Sequence, residues 1–341
     1  MPLSQSIASL DDIRKILAQI PGPDETAAAA AAAREPQLTK PPGSLGRLED
    51  ISLWLCRWQA GHPPRMAHPY AYVFAGNHGV TGRGVSAFPA EVTVQMVANF
   101  EHGGAAINQL CKTFGIELKV LALDLETPTE DFTNGPAMSE SACIDAFQRG
   151  MAVVTENMDV LCLGEMGIGN TTSAAAICHG LYGGAAGDWT GPGTGVQGDA
   201  LAVKTRVVAD AVDFHKADIK DGLDVMCRLG GRELAAIAGA VLAARLKRVP
   251  VVLDGYVSSA AAAVLEATTS GALDHCLVGH ASTEPGHLRL LEKIGKRPLL
   301  EMNMRLGEAS GAALAVGLLK AAAACHTGMA TFAEAGVSDK D

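Results

Sequence analysis

Short apolar runs recur along the middle of the chain, and each is followed by Gly or Asp and then by helix-compatible sequence. The runs cover residues 71–74, 118–123, 160–163, 251–253 and 276–278. Apolar runs without polar alternation are typical of strands buried on both faces of a parallel sheet. The pattern predicts an α/β protein with three α/β/α layers around a mostly parallel, Rossmann-like sheet.

The two ends of the chain have a helical pattern instead. Residues 1–60 are rich in helix formers, although two adjacent prolines exclude one continuous helix. Residues 302–324 return to helix after a Leu-Gly-Glu triplet. We therefore predict a small helical domain made of residues 1–60 and 302–341, and a large α/β substrate-binding domain made of residues 61–301.

The composition suits a small-molecule ligand better than a nucleic acid. Of 341 residues, 48% are hydrophobic and only 4% aromatic, and the formal net charge is -10. Such a chain lacks the broad basic face and the stacking surfaces that bind a polyanion. A small anion needs only backbone N–H groups and one or two cations. We expect small-molecule substrates and no nucleic-acid partner.

The cysteines and the start of the chain predict a cytoplasmic protein. Eight cysteines are scattered without a C-x-x-C pair, as reduced core residues are. The N-terminus reaches charged residues without the apolar segment of a secretory signal. The longest apolar stretches, residues 235–246 and 309–325, are too short or are interrupted by Arg245 and Lys320. We expect no membrane insertion.

Four glycine-containing, polar loops follow predicted strands, at residues 75–79, 164–170, 254–259 and 279–282. Each loop alone could be an ordinary connection, because short βα turns need Gly, Asp and Ser for their own geometry. The carboxyl ends of parallel strands meet at one edge of a sheet, where ligands bind. Together the four loops therefore favour a binding site at this edge.

The most informative loop is G-E-M-G-I-G-N-T-T at residues 164–172, where an apolar strand passes through glycines into an alanine-rich helix. Small residues let the backbone approach a ligand, and the free N–H groups of a first helical turn attract an anion. Glu165 would repel a phosphate, so we expect it to face a sugar hydroxyl or a ring N–H. The alternative is an ordinary βα turn in which Thr171 or Thr172 only caps the helix.

The G-x-G-x-x-G sequence at residues 193–198 is a false dinucleotide-binding fingerprint, because no strand leads into it. A flexible glycine loop that folds over a ligand and a plain surface loop both fit this stretch. Lys204 follows on a predicted helix, where it could supply a cation to a phosphate or lie in solvent.

Two further groups of residues have a functional and an ordinary interpretation. His280 and His287 suggest a metal site, but Pro285 and Gly286 interrupt any helix between them and no third ligand is implied, so we predict no metal. Glu308 lies among small and apolar residues near a helix start. It is either a charge favoured by the helix dipole or a general base whose pKa rises with burial.

Taken together, the motifs closely resemble the family of nicotinate-nucleotide:dimethylbenzimidazole phosphoribosyltransferases, which act in cobalamin synthesis. The resemblance runs from about Lys40 to Gly317 and rests on seven blocks in order. The blocks are K-P-P-G-S-L-G-R-L-E, F-A-G-N-H-G-V, G-V-S-A-F-P with Gln95, G-E-M-G-I-G-N-T-T, D-G-Y-V-S-S-A, G-H-A-S-T-E-P-G-H and L-G-E-A-S-G-A. The chain departs from the family at Asn77, where Asp is frequent, and at Ala309, where Gly is frequent.

The resemblance implies roles for individual residues. Glu308 matches the catalytic base, and Glu165 matches a carboxylate near the bound ligands. Ser86 and Gln95 fall in the block that lines the benzimidazole pocket. The positions that match those around the phosphate and ribose of the nucleotide are Gly167, Gly169, Asn170, Lys204, Gly255 and Ser282.

The resemblance also implies the reaction. Phosphoribosyl passes from nicotinate mononucleotide to 5,6-dimethylbenzimidazole, giving α-ribazole 5′-phosphate and nicotinate with inversion at C1′. One benzimidazole nitrogen attacks C1′ while the other loses a proton, which a nearby carboxylate can accept. Nicotinate leaves as a stable anion, so we expect no cofactor. Family members are homodimers, and adenine or phenolic bases remain alternative acceptors.

Two other classes of protein fit parts of the pattern. An NAD-linked oxidoreductase shares the fold class, but it needs a fingerprint directly after a strand and an acid for the ribose. A non-catalytic nucleotide sensor would have no use for Glu308. We therefore expect an enzyme of the phosphoribosyltransferase type.

Overall fold

A parallel sheet forms the centre of the fold in the computed structural model, which describes residues 7–338. Within this range six strands have the order β2-β1-β3-β4-β5-β6, and every neighbouring pair is parallel. The α/β class and the parallel sheet are therefore confirmed. The strands are β1 (Pro69–Ala75), β2 (Glu117–Ala122), β3 (Val160–Met166), β4 (Val251–Leu253), β5 (Cys276–His280) and β6 (Pro298–Leu300).

Strands β1 to β5 coincide with the predicted apolar runs, whereas β6 was not predicted. β6 has three half-buried residues and begins with Pro298 at the edge of the sheet. It pairs with β5 through Val278 and His280. A proline is tolerated at the start of an edge strand, but such a strand lacks the buried run that reveals a central one.

Helices connect the strands and cover both faces of the sheet. Those described in residues 7–338 include α1 to α3 and α13, which confirm the helical pattern predicted at the two ends. The helices are α1 (Leu10–Leu17), α2 (Glu25–Arg34), α3 (Arg47–Gln59), α4 (Glu91–Glu101), α5 (Ala106–Phe114), α6 (Glu140–Ala152), α7 (Asn170–Tyr182), α8 (Asp199–His215), α9 (Gly222–Leu229), α10 (Arg232–Lys247), α11 (Tyr256–Thr268), α12 (Pro285–Lys293), α13 (Ser310–Gly328) and α14 (Phe332–Ala335).

The central strand β3 is buried on both faces, which explains its continuous apolar sequence. Leu161 and Leu163 pack into one apolar cluster together with residues of α7, α10 and α11. Val160 and Cys162, which point the opposite way, pack into a second cluster with α13 and α3. Side chains alternate between the faces of a strand, so each face needs its own layer of helices.

Helices from both ends of the chain share one face of the sheet, and α1 alone among them lies on the other. α2, α3 and α13 pack together on the face of the second cluster, whereas α1 contacts α11 on the other face. The division into domains of residues 1–60 with 302–341 and of residues 61–301 stays a prediction.

Among residues 7–338, helix α13 is long and apolar enough to cross a membrane, and half of its apolar stretch is buried inside the protein. It contacts β3 to β6 as well as α3 and α5. Its Lys320 donates a hydrogen bond from Nζ to the carbonyl oxygen of Phe114. The contacts are those of a core helix.

The closest helix packing is between α6 and α10, where glycines replace larger side chains. A Cβ atom on Gly150 would collide with the backbone of Ala236, and one on Gly239 would collide with the backbone of Phe147. The two helices therefore meet backbone to backbone, and neither contact can be relieved by rotating a side chain.

We expect Gly239→Ala to lower the free energy of unfolding by about 1–3 kcal/mol, because the added methyl group forces α6 and α10 apart. Urea denaturation measures the change. Gly22→Ala is the matched control, since a Cβ there has no atom within 4 Å and we expect an effect within about 0.5 kcal/mol. Equal stability of the two variants would contradict this account of the packing.

Candidate active site

A cleft of about 260 Å³ opens at the carboxyl-terminal edge of the sheet, as the strand-end loops predict. Its walls come from the turn after β3, the starts of α11 and α12, the glycine loop at residue 193 and the segment before α13. In the strand order the chain reverses direction across the sheet between β1 and β3. Ligands of open parallel sheets bind at such a reversal.

The structure brings most of the predicted site residues to this cleft. Those that line it directly are Glu165, Gly167, Asn170, Gly255 and Ser282. Gly169 lies at the base of the same turn. The lining does not include Ser86, Gln95, Lys204 or Glu308, each of which is placed below.

The turn after β3 is built by glycines. Gly169 caps the start of α7 with a φ of +94°, which L side chains rarely adopt, and a Cβ there would lie 2.8 Å from Cγ2 of Thr81. Asn170 begins the helix, and the amides of Asn170 and Thr172 donate to the carbonyl oxygens of Gly167 and Gly169. The amide of Thr171, a residue that lines the cleft, makes no such bond and can face an anion.

Glu165 is a buried acid in the floor of the cleft. It lies on β3, is only 8% exposed, and accepts a hydrogen bond at Oε2 from Nδ2 of Asn170. Burial, together with the negative charge of Asp254, raises the pKa of Glu165 to about 8. Its carboxyl group is therefore mostly protonated at neutral pH, and it can donate a hydrogen bond to a ligand.

Glu308 is held next to Glu165 by an unusual backbone. Gly307, Glu308 and Ala309 have φ values of 84°, 60° and 60°, so three consecutive residues are left-handed. For the two non-glycine residues this costs about 1–3 kcal/mol each. A Cβ on Gly307, which lines the cleft, would lie 2.5 Å from Oε1 of Glu165. The absence of a side chain at this position lets the two acids approach.

The environment of Glu308 favours proton exchange near neutral pH. The side chain is 6% exposed, and burial, with a contribution from the charge of Asp254, raises its pKa to about 7. Glu308 precedes α13 by two residues and lies outside its first turn. The amide groups of that turn are instead bound by Asp254, whose Oδ1 accepts hydrogen bonds from Gly311 N at 2.7 Å and Ala312 N at 2.9 Å.

Asp254 was not singled out from the sequence. It follows β4, is 1% exposed, and burial raises its pKa to about 7 despite the amide hydrogen bonds. The available signal was its place directly after a buried strand and before Gly255. Its bonds fix the start of α13 against the sheet, which fixes the segment carrying Glu308.

Two glycines let the start of α13 lie close against the sheet. A Cβ on Gly164 would collide with Ala309, and a Cβ on Gly279 would lie 2.8 Å from the backbone of Ala312. The start of α13 thus rests on the backbones of β3 and β5.

Lys204 lies behind the cleft wall. It is fully buried on α8, and its Nζ donates hydrogen bonds to Thr171 Oγ1 at 2.8 Å and to the carbonyl oxygen of Gly191 at 3.0 Å. Burial lowers the pKa of Lys204 to about 8. Because Lys204 does not reach the cleft surface itself, it acts on a ligand as a nearby positive charge behind Thr171, which lines the cleft.

The glycine loop at residues 193–198 is held from both sides and is not preceded by a strand, which confirms that it is no dinucleotide fingerprint. Gly193 N donates to Oε1 of Glu284 at 2.9 Å, and Nη1 of Arg305 donates to the carbonyl oxygen of Gly193 at 2.8 Å. Both side chains line the cleft, and both were missed because neither is distinctive in local sequence.

Of the two predicted benzimidazole-pocket residues, Ser86 is half-buried and Gln95 is exposed. Oγ of Ser86 lies 3.0 Å from Oγ1 of Thr194, a lining residue of the glycine loop. Phe88 lines the cleft mouth and is 52% exposed. Gln95 lies on the exposed side of α4 and is not brought to the cleft.

The histidine pair does not form a metal site. His287 uses both ring nitrogens, since Nδ1 accepts from Ser282 N at 2.8 Å and Nε2 lies 3.2 Å from Oγ of Ser259. It therefore holds Ser282 at the cleft. Within residues 7–338 no group of three or more His, Cys, Asp or Glu side chains is arranged to hold a metal ion.

Comparison with known proteins places this cleft in a family context. Residues 20–337 match the family model DBI_PRT, described as phosphoribosyltransferase. The nicotinate-nucleotide–dimethylbenzimidazole phosphoribosyltransferase of Rhizobium meliloti (strain 1021) is 58% identical over 339 residues, which is 99% of this chain and 100% of that protein. The protein of the same name from Ruegeria pomeroyi is 58% identical over 334 residues, 98% of this chain and 99% of that one.

A solved structure agrees with the fold. The crystal structure of CobT from Thermus thermophilus superposes with a TM-score of 0.87 at 40% sequence identity. The match covers 92% of this chain and 100% of that one.

We expect Glu284→Ala to release the glycine loop, because it removes the acceptor of the Gly193 amide. A hydrogen bond to a charged group contributes about 1.5–3 kcal/mol, so amide exchange in residues 191–198 should accelerate about tenfold or more. Hydrogen–deuterium exchange mass spectrometry measures this. Glu292→Ala, at an exposed acid of α12, is the control, and equal exchange in both variants would refute the role of Glu284.

Proposed function

This chain belongs to the nicotinate-nucleotide–dimethylbenzimidazole phosphoribosyltransferase family, as its seven sequence blocks predict, and it is a phosphoribosyltransferase. We propose that it transfers phosphoribosyl from nicotinate mononucleotide to 5,6-dimethylbenzimidazole in cobalamin synthesis. The products are nicotinate and α-ribazole 5′-phosphate. The observation that carries this proposal is the placement of two buried acids: Glu165 lines the cleft, and Glu308 directly follows Gly307, whose Cβ position lies 2.5 Å from Oε1 of Glu165.

The two acids differ in their hydrogen-bond partners. Glu308, whose pKa is raised by burial to about 7, exchanges its proton near neutral pH and can accept the proton that the benzimidazole loses. Oε2 of Glu165 already accepts a hydrogen bond from Asn170, and the raised pKa of Glu165 suits a hydrogen-bond donor to the ligands. Glu308 is therefore our candidate for the catalytic base.

The nucleotide binds along the β3 side of the cleft. At the turn into α7, Gly167, Gly169 and Asn170 lie against the phosphate, to which the amide of Thr171 can donate, and Lys204 adds its positive charge behind Thr171. Gly255 and Ser282 face the ribose from the opposite wall. Rigid placement of the ribose lowers the barrier, by up to about 7–11 kcal/mol in favourable cases.

The base enters from the exposed side, where Ser86 and Phe88 lie, with Gln95 farther along α4. Arg305 is the one Lys or Arg side chain among the described residues that line the cleft, so it can attract the carboxylate of nicotinate. Attack on C1′ comes from the face opposite the departing nicotinate. A single displacement of this kind inverts the β-nucleotide to an α-riboside.

We also propose that the enzyme is a cytoplasmic homodimer, as the family resemblance implies. All eight cysteines are unpaired and seven are buried, which suits a reducing compartment. No cofactor is required for the displacement.

We expect the protein to form α-ribazole 5′-phosphate from the two substrates, detected by chromatography, and Glu308→Gln to abolish most turnover. Nucleotide binding should stay nearly intact, because the amide keeps the shape of the carboxyl group but cannot accept a proton. For the wild type, kcat/KM should fall as the pH drops below about 7, when Glu308 becomes protonated. The exposed Glu301→Gln is the control. An unchanged kcat in Glu308→Gln would remove Glu308 from the base role.

We expect Lys204→Met to weaken chiefly the binding of nicotinate mononucleotide, by about tenfold or more, because the phosphate loses a cation. Since the pKa of Lys204 is about 8 in the free protein, wild-type affinity should decline as the pH rises above that value. Calorimetry with the nucleotide and with phosphate-free nicotinate riboside measures the difference. Lys216→Met, at an exposed lysine near the end of α8, is the control. Equal loss for nucleotide and riboside would count against the phosphate role.

A further inference from the structure

A second buried pair of polar side chains lies under the cleft and has no part in the chemistry described so far. Nε2 of His78 lies 2.5 Å from Oε1 of Glu233, and both side chains are fully buried. His78 follows β1, and Glu233 lies in the first turn of α10. Nδ1 of His78 lies 3.1 Å from Oγ of Ser173 on α7, which itself donates to the carbonyl oxygen of Gly230. Three separate elements therefore converge on one imidazole ring.

This arrangement has the members of a hydrolytic triad but cannot act as one. Ser173 is fully buried, so no substrate reaches its hydroxyl group. Because that hydroxyl donates to Gly230, it accepts the Nδ1 proton of His78, and one further proton lies between Nε2 and the carboxylate. The pair is neutral as a unit, which lowers the cost of burying it.

Glycines surround the pair at positions where a side chain would collide with it, and one of these glycines, Gly167, lines the cleft. A Cβ on Gly167 would lie 3.0 Å from Oε1 of Glu233 and 3.2 Å from Nε2 of His78. A Cβ on Gly231 would lie 2.8 Å from Oε2 of Glu233. Gly76, after β1, is packed against the same carboxyl group. The Gly167 turn thus rests directly on the histidine and the carboxyl group.

We propose that the His78–Glu233 pair is a positioning unit, which supports the Gly167 turn from below and so fixes where its backbone meets the phosphate and ribose of the nucleotide. The inference rests on the proposed function. Neither residue touches a substrate, and both act through the backbone of the turn. The length of the Glu233 side chain is the essential quantity, because it sets the contact with both His78 and Gly167.

The test compares side-chain length with charge. Glu233→Asp keeps the carboxyl group but withdraws it by one methylene, and we expect the KM for nicotinate mononucleotide to rise about tenfold while the KM for dimethylbenzimidazole stays within about twofold. Glu233→Gln keeps the length, and its KM for the nucleotide should stay within about 1.5-fold of wild type. If the pair only stabilised the fold, Glu233→Asp would change the KM values of both substrates alike, and Glu233→Gln would not restore the KM for the nucleotide.

The matched control is Glu35→Asp. Its partner contact has similar geometry, since Nδ1 of His326 lies 2.6 Å from Oε2 of Glu35, but it joins the segment after α2 to α13. We expect no change in either KM for this variant. If Glu233→Asp does not fold, Ser173→Ala removes only the third contact and should raise the nucleotide KM about threefold.

The outcomes separate the two proposals. An active wild type whose Glu233→Asp variant has an unchanged nucleotide KM, or equal rises in both KM values, overturns the positioning role alone. If Glu233→Asp does not fold and Ser173→Ala is used in its place, an unchanged nucleotide KM in Ser173→Ala also overturns the positioning role. A wild-type protein that forms no riboside from the two substrates overturns the proposed function and this role with it.

Discussion

The close approach of Ala309 to Gly164 is the contact on which the candidate site depends. Gly164 lies in the central strand, and any side chain there would displace the segment that precedes α13. Asp254 holds the same segment through two amide groups of the helix start. The hydrophobic burial of α13 against the sheet then offsets the left-handed backbone at Glu308. A core helix and the carboxyl group that we propose as the catalytic base are thus fixed by the same contact.

That contact also gathers buried acids. Asp254, Glu165 and Glu308 are all buried, and burial is the largest cause of the rise in each pKa. The charge of Asp254 adds to the rise for Glu165 and for Glu308. In the proposed reaction the acceptor base becomes positively charged as its neutral nitrogen bonds to C1′, and that charge would favour ionisation of the nearest acid.

The sequence predicts those features of the fold and the site that are determined by residues close together in the chain. The apolar runs identified β1, β3, β4 and β5 because these inner strands are largely buried, and β2 because it is mostly apolar although it lies at an edge and is only partly buried. The glycine turn at Gly167 was visible as a strand passing into a helix. The edge strand β6 and the acid Asp254 were missed for the same physical reason: their importance comes from residues distant in sequence. Asp254 matters because Gly311 and Ala312 lie beside it. The contact of Arg305 with the glycine loop is likewise a property of the folded chain.

The residues at the two ends of the cleft differ in how much they contribute to the stability of the fold. Lys204, Glu284 and His287 are buried and hydrogen-bonded at the nucleotide end, whereas Phe88 and Leu306 at the other end are 52% and 55% exposed. Exposed positions tolerate substitution within about 0.5 kcal/mol, while buried polar ones do not. Natural selection can therefore change the exposed end, where we propose that the acceptor base binds, without endangering the fold. If so, relatives should differ mainly in which base they accept, with the sugar phosphate left constant.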